Sequence, residues 1–156
     1  MNATADGFGG ELPVSSRFLF EVDGVEIGMF TEVSGLEVKV EVETYNEGGE
    51  NGFTHKLPGR MTWPHILLKR GVTNSDALFT WVNKSAGDAF AANGNKLTRC
   101  TGAITVIGTT LSRERAWELK DVFAVRWTGP RFDVTSGDPL HEELEVAHHG
   151  FRSKTF

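Results

Sequence analysis

The sequence lacks the features that mark several large protein classes. It has one cysteine, Cys100, in 156 residues, so no disulfide forms within the chain and the fold does not depend on an oxidising compartment. No apolar stretch approaches the ~20 residues that a membrane helix needs. Prolines number only 5, and the 18 glycines follow no regular spacing, which excludes a collagen-like chain.

An excess of basic charge is also absent. The chain has 21 acidic and 16 basic residues, for a net charge of −5, so we expect no general attraction to nucleic acid. Met1 to Pro13 has no basic start and no apolar run. This segment is not typical of a signal peptide, and we expect synthesis in the cytoplasm. We predict a flexible N-terminal arm over residues 1–15 and a single domain over residues 16–156.

The chain does contain a series of strand patterns separated by turns. Two apolar runs, Phe18 to Val22 and Val25 to Phe30, flank the pair Asp23-Gly24. Both residues of this pair tolerate a positive φ, which is typical of a tight β-hairpin.

Strict alternation from Leu36 to Tyr45 predicts the most regular strand of the chain. Leucine and valines occupy the even positions from 36 to 42. Charged residues occupy the odd positions, namely Glu37, Lys39, Glu41 and Glu43. A period of two places one set on a buried face and the other on a wet face.

A polar, glycine-rich segment follows this strand and connects it to a returning strand, Phe53 to Leu57, which we expect to end at Pro58-Gly59. Such a composition favours an adaptable loop. We predict that this loop, with its flanking aromatic residues, is a contact loop. The residues concerned are Tyr45, Asn46, Glu47, Gly48, Gly49, Glu50, Asn51, Gly52 and Phe53.

The middle of the chain predicts one helix. Thr73 with Asp76 resembles a capping box, Leu78, Phe79 and Val82 form an apolar face flanked by Trp81, and Gly87 is a plausible stop.

The second half returns to strand patterns. From Trp117 to Trp127 the odd positions are apolar except for Asp121, which predicts a bulge or bend at that residue. Glu142 to His149 is expected to be the last strand. The pattern as a whole predicts a mainly β (α+β) fold, with two packed antiparallel sheets or an open β-barrel and one α-helix.

Three segments contain residue types that can form a chemical site. Adjacent histidines, His148 and His149, point to opposite faces of a strand and cannot easily share a metal ion, so one buried and one exposed histidine is the better interpretation. Cys100 does not lie in a catalytic signature, even with His55 or His65 as a base. The glycine-rich loop has no lysine and leads into no helix, so it is not a phosphate loop. We therefore expect no catalytic, cofactor or metal site.

Four motifs, in this order and spacing, carry a resemblance over residues 17–151. The motifs are Phe18 to Gly24 with Val33-Ser34-Gly35-Leu36; Tyr45 to Gly49 leading to Lys56-Leu57-Pro58-Gly59 and Leu68 to Val72; Trp117-Glu118-Leu119 with Trp127 to Pro130; and Glu142-Glu143-Leu144 with Ala147 to Gly150. The chain resembles the tube proteins of contractile phage tails and, more closely, of extracellular contractile injection systems.

The resemblance implies a structural subunit that forms hexameric rings, which stack into a hollow tube as sheets of six subunits join into one continuous barrel. It implies as partners further copies of the chain, a contractile sheath, tube-initiator or baseplate and spike proteins, and a tape-measure protein with protein cargo in the lumen. It also implies a phage-tail-like particle, either cytoplasmic or released. Glu37, Lys39, Glu41 and Glu43 are then the candidate lumen face, and the loop from Tyr45 to Phe53 is then the contact with a neighbouring subunit or ring.

Three alternatives remain open from the sequence. One is the initiator ring of the same machine, near the baseplate. Another is a small hydrolase using His148 or His149 with a glutamate. The last is a stand-alone β-barrel that binds a ligand.

Overall fold

The computed structural model describes residues 16–49, 51–86, 91–92, 94, 96 and 99–156. The predicted arm, residues 1–15, lies outside the described residues, as does Gly87. The described elements, in chain order, are β1 Arg17–Val22, β2 Val25–Phe30, β3 Glu32–Ser34, β4 Lys39–Tyr45, β5 His55–Thr62, β6 Ile66–Gly71, α1 Ala77–Ala86, β7 Cys100–Ile107, β8 Arg113–Thr128, β9 His141–Ala147 and β10 Phe151–Thr155.

Strand β8 belongs to two sheets. Its first half pairs with β7 and β10, and the strand order continues through β7 to β1 and β2. Its second half pairs with β9, and this second sheet continues to β6 and β3. All these pairs are antiparallel. The predicted fold, mainly β with two antiparallel sheets and a helix, is confirmed.

The predicted bend at Asp121 is present. Asp121 has a φ of 51°, and the β7–β8 register shifts beside it. Because of the extra residue, the buried face changes from odd-numbered positions such as Leu119 to even-numbered positions such as Val122, and Val125 is exposed. After the bend, Phe123 is therefore only partly buried, because the bend turns the strand into the other sheet.

The core lies between the two sheets and under α1. Its buried apolar side chains are Phe20, Val22, Ile27, Phe30, Ile66, Leu68, Leu78, Trp81, Ile104, Leu119, Val122, Ala124, Leu144 and Val146. One charged group is buried with them. The guanidinium of Arg70 lies over the ring of Phe30 and pairs with Glu142, which also accepts a hydrogen bond from the Trp127 indole.

Helix α1 begins later than predicted. Its first backbone hydrogen bond runs from the N–H of Thr80 to the carbonyl of Asp76, so Asp76 rather than Thr73 precedes the first turn. Leu78 and Trp81, three positions apart, form its buried face. Phe79 is exposed, contrary to prediction, because it lies about 100° around the helix from Leu78.

The end of the chain also differs from prediction. Strand β9 ends at Ala147, and a further strand, β10, follows. His148, His149 and Gly150 form the connection, in which the backbones of Lys120, His149 and Gly150 exchange hydrogen bonds. The sequence missed β10 because only 5 residues form it and only one of them is a large apolar residue.

Candidate functional site: the hairpin of strands β4 and β5

Strands β4 and β5 form a separate two-stranded sheet. Among the described strands they pair only with each other, from Lys39 opposite Thr62 to Tyr45 opposite His55. Strand β5 does not end at Pro58-Gly59 as predicted, but continues to Thr62 with a register shift at that point. An isolated two-stranded hairpin is marginally stable in water, so this hairpin is expected to need a further contact.

One face of the hairpin is apolar and uncovered. The register places Val40 opposite Met61 and Val42 opposite Pro58, and directly opposite residues share a face. Val40 is 45% exposed, Met61 52% and Val42 59%. The predicted alternation is therefore present, but the prediction that these valines are buried is wrong for the described residues, because no described element covers them.

The opposite face is charged. Lys39, Glu41 and Glu43 alternate with the valines along β4 and therefore point away from them. Glu37 precedes the strand, and its carboxylate lies 3.6 Å from the ammonium of Lys39. The four residues of the predicted lumen face thus lie close along one segment, and all are exposed.

Aromatic side chains gather at the tip of the hairpin. The ring of Phe53 meets that of His55 edge-on at 4.9 Å, and the ring of Tyr45, which is opposite His55 in the register, lies 6.5 Å from the His55 ring. His55 also shares a hydrogen bond of 3.0 Å with Glu47. Tyr45 is 60% exposed and Phe53 61% exposed. In the predicted contact loop, Glu50 lies outside the described residues.

The root of the hairpin is held by a buried histidine. The Nε2 of His148 donates to the carbonyl of Pro64 at 3.0 Å, and its Nδ1 accepts from the N–H of Gly150 at 3.1 Å. Burial lowers the pKa of His148 below its ordinary value, which favours the neutral ring that this arrangement requires. Pro64 lies between β5 and β6, so His148 ties the base of the hairpin to the body of the domain.

His149 points the other way and is exposed. Its Nδ1 lies 3.1 Å from a carboxylate oxygen of Asp121, and this hydrogen bond lowers the pKa of Asp121. The prediction of one buried and one exposed histidine is confirmed. In the described part of the chain no group of three histidine, cysteine or acidic side chains is arranged to hold a metal ion.

Cys100 does not have the surroundings of a catalytic thiol. Burial is the main cause that raises its pKa, and Asp23 adds to the effect, so the unreactive protonated form is favoured at neutral pH. Among the described residues that line the cavity beside Cys100, none is a histidine. Neither His55 nor His65 is therefore placed there as a base.

A second charged face lies on the outer side of the β8–β9–β6–β3 sheet, and the sequence analysis did not single it out. Glu145 accepts from Arg126 at 3.0 Å and pairs with His65 at 2.8 Å. Lys69 stands opposite Glu143 and Glu32 in the neighbouring strands. The sequence signal for this charged face was the alternation of Glu143 and Glu145 with the buried Leu144 and Val146.

This second sheet has two unpaired edges among the described residues. One edge is the short strand β3. The other is the side of β8 that faces away from β9 over Phe123–Thr128, since pairing with β7 stops at Val122. Unpaired edges offer backbone groups to a further strand.

None of the helices in the described part of the chain has the length and apolarity that crossing a membrane requires.

A family model described as the T4-like virus tail tube protein gp19 matches residues 14–152. No curated protein sequence matches the chain.

Three solved structures contain similar chains. One is the sheath–tube complex of the extracellular contractile injection system PVC in its extended state, with a TM-score of 0.77 and 23% identity over 100% of this chain and 99% of that chain. Another is the anti-feeding prophage baseplate, with a TM-score of 0.74 and 21% identity over 95% and 97% of the two chains. The anti-feeding prophage cap gives a TM-score of 0.74 and 22% identity over 100% of both chains. At this level of identity each likeness establishes a shared fold.

Proposed function

Because the chain belongs to the family of T4-like virus tail tube proteins, we propose that it is the structural inner-tube subunit of a contractile injection system. Hexameric rings of the chain stack around a lumen, and contraction of a surrounding sheath drives the tube through a target envelope. The observation that carries this proposal is the uncovered apolar face of the hairpin, with Val40, Val42 and Met61 all about half exposed.

Assembly gives this face the cover that the described part of the chain does not provide. Each fully buried valine or methionine side chain contributes roughly 1.5–3 kcal/mol relative to an exposed one, and about half of that remains to be gained here. The gain recurs in every subunit of a tube. A repeated contact of this kind makes a long filament stable even though one hairpin alone is marginal.

The two unpaired edges of the second sheet support ring formation. An edge strand that stays open is an aggregation hazard, and a ring removes it when one subunit's edge pairs with the next subunit's edge. Strand β3 and the second half of β8 lie at opposite sides of the same sheet, as such a closure requires. The sheets of six subunits then form one continuous barrel.

We propose that Glu37, Lys39, Glu41 and Glu43 face the lumen, which holds the tape-measure protein and protein cargo. Charged, hydrated side chains make a wall to which an unfolded protein does not adhere. The exposure of all four residues and the apolar character of the opposite face of β4 support this orientation.

The segment Tyr45–Phe53 supplies the contact between rings in this proposal. Its aromatic residues are exposed at the far end of the hairpin, and aromatic side chains are frequent anchors of protein interfaces. Glycines at 48, 49 and 52 allow the loop to adapt to its partner.

The partners that we propose follow from the similar structures, one of which is a sheath–tube complex and another a baseplate. They are the sheath, the baseplate with its initiator and spike, and the tape-measure protein. The particle acts as a mechanical device, and the chain has no enzymatic activity in it. The PVC system is described as extracellular, which supports a particle that is assembled in the cell and then released.

A second role in the same machine is the initiator ring at the baseplate, which the similarity to a baseplate chain favours. Electron microscopy of labelled particles separates the two roles. A tube subunit repeats along the full length of the tube, whereas an initiator occurs only at its base.

The experiment that tests the tube proposal changes the apolar face of the hairpin. Val42→Asp places a charge where the proposal requires a dry contact, while Val134→Asp, at a fully exposed position, is the matched control. Wild type and control are expected to form rings or tubes in negative-stain microscopy. Val42→Asp is expected to stay folded by circular dichroism and to form no stacked tubes, with single rings as the largest assembly. Normal tubes from Val42→Asp would contradict the proposal.

A further inference from the structure

A row of buried side chains crosses the sheet of β2, β1, β7, β8 and β10 on the face away from the core. Leu19 stands opposite Thr105, and Thr105 stands opposite Ala116, so the three residues share one face. Their neighbours along the strands, Phe20 and Ile104, belong to the core on the other face. Leu19 is 5% exposed, Thr105 1% and Ala116 3%. The row is therefore as well buried as the core.

No described helix or strand covers this row. Helix α1 packs on the core face, where the ring of Trp81 meets that of Phe20 edge-on. The sheet of β8, β9, β6 and β3 encloses the same core, and the β4–β5 hairpin is a separate sheet. A strand face that is open to water leaves its apolar side chains partly exposed, as at Val40 and Val42. The cover of the row therefore comes from another part of the chain or from another molecule.

One ion pair lies on the same face but covers only part of the row. The guanidinium of Arg113 donates to both carboxylate oxygens of Glu21, at 3.0 and 3.1 Å. Arg113 belongs to β8 and Glu21 to β1, so their side chains meet above β7, which lies between these strands. They shield Thr105 on β7, whereas Leu19 and Ala116 lie on the strands to either side. Those two residues need a further cover.

The hydroxyl of Thr105 adds an independent observation. Its Oγ1 is buried and forms no hydrogen bond with any described residue. Leaving a buried hydroxyl unpaired costs roughly 1–3 kcal/mol, so such groups in native proteins usually have a partner. An extended backbone segment that crosses the row offers N–H and C=O groups to this hydroxyl. The row thus fits a segment of polypeptide better than it fits side chains alone.

The segment before β1 is placed to supply this cover. Residues 1–15 lead into Arg17, the first residue of β1, only two positions from Leu19. Neighbouring strands lie about 4.8 Å apart, so the row from Leu19 to Ala116 measures roughly 10 Å, which about three extended residues span. The segment is therefore long enough to reverse direction and cross the row.

The residues outside the description between α1 and β7 are less well placed. They lie within 87–98 and lead to the start of β7 at Cys100. Cys100 lies roughly 16 Å along that strand from Thr105. The attachment point thus favours the segment before β1 as the cover.

The segment also carries suitable side chains. Leu12 and Val14 alternate with Glu11 and Pro13, so an extended backbone places both apolar residues on one side. Proline donates no backbone hydrogen bond, which suits a segment that lies across a sheet and does not pair at its edge. The tail tube family model begins at residue 14, so the family match assigns no role to the residues before it.

We propose that residues 11–15 cross this row in their own subunit, with Leu12 and Val14 packed against Leu19 and Ala116. A backbone group of the segment completes the hydrogen bonding of Thr105. The segment is then an integral layer of the domain, in contrast to the flexible arm that the sequence predicts. This inference concerns a different surface from the tube proposal and does not depend on tube formation.

Thiol labelling tests the proposal in the full chain. Cys100→Ser removes the native thiol. Ala116→Cys then places a probe on the row, and Ala124→Cys places one in the core on the same strand. Arg152→Cys, which is exposed on the outer face, gives the labelling rate of an open site. With the segment unchanged, the probes at 116 and 124 are both expected to be protected.

Charges in the segment are expected to open the row. With Leu12→Asp and Val14→Asp together, the probe at 116 is expected to react at nearly the rate of the probe at 152, while the probe at 124 stays protected. Asn2→Asp with Thr4→Asp adds the same charge at polar positions of the segment. This control is expected to leave the probe at 116 protected.

A disulfide identifies the copy that supplies the segment, and it gives an answer even if the aspartate variants unfold. Leu12→Cys with Ala116→Cys, in the Cys100→Ser background, is expected to form an intrachain disulfide on mild air oxidation, seen as a faster-migrating monomer on a non-reducing gel. Disulfide-linked multimers would assign the segment to another copy and overturn the proposal. The absence of any disulfide would also overturn it, as would a probe at 116 that reacts with the segment unchanged or stays protected with both aspartates in place.

Discussion

Gly35, between β3 and β4, is expected to be the glycine at the root of the hairpin whose substitution by alanine destabilises the fold most. Its φ is +86°, a conformation that L side chains rarely adopt. A Cβ at this position would lie 2.2 Å from the backbone carbonyl oxygen of His65. The next residue, Ile66, is fully buried, so the neighbouring backbone is not free to move away.

Two costs add up in Gly35→Ala. The positive φ costs roughly 1–2 kcal/mol for an L residue. The clash needs a shift of about 1 Å in the backbone at the start of β6, which also strains the hydrogen bond from His148 to the Pro64 carbonyl. A disruption of a packed backbone of this size belongs with the largest single-residue effects, so we expect about 4 kcal/mol in total, near a thousandfold change in the folding equilibrium.

Gly24→Ala is the matched control. Gly24 also has a positive φ, +77°, but no atom lies within 4 Å of the position of its Cβ. It therefore incurs only the conformational cost, about 1–2 kcal/mol. Urea unfolding followed by tryptophan fluorescence under conditions that keep the chain monomeric measures both free energies. Equal losses of stability in the two variants would refute the role assigned to the clash with His65.

Two other predictions concern buried polar groups. In Gly28→Ala the new Cβ would meet the guanidinium of Arg70 and push it away from Glu142, so we expect the free energy of unfolding to fall by about 3 kcal/mol. The control Gly71→Ala, where the new Cβ has ample space, is expected to change it little. A loss in Gly28→Ala that persists when Arg70 and Glu142 are both replaced by apolar residues would contradict this cause. Because the folded pKa of His148 is lowered, the unfolded chain binds more protons near the ordinary value of 6.5, so stability is lost as the pH falls through that value and levels off below the folded pKa. Unfolding at several pH values measures this loss, and His148→Gln is expected to reduce it; an unchanged pH dependence in the variant would show that other groups cause it.

Local patterns predicted the elements that local chemistry controls. Asp23-Gly24 forms a tight turn because both residues adopt a positive φ, 50° and 77°. The bend at Asp121 was visible in the sequence because this charged residue interrupts a series of apolar residues at alternate positions. The polar and apolar sides of β4 also followed from alternation alone, because side chains of a strand point to opposite faces regardless of what lies beyond them.

The candidate site shows where such reasoning stops. Alternation states that Val40 and Val42 share a face, but whether that face is covered depends on which other segments pack there. In this fold β4 and β5 leave the body of the domain, so the face stays open. The sequence offered no signal for the cavity either, since Val25, Trp81 and Cys100 come from three separate segments.

The sequence by itself determined the turns, the alternation of the strands and, through its ordered motifs, the resemblance to tube proteins, because these depend on neighbours along the chain. Only the tertiary structure decided that β8 joins two sheets and that the β4–β5 hairpin forms a separate sheet with an apolar face that no described element covers. These features arise from contacts between residues far apart in sequence, whose free energies depend on the packing of the whole chain.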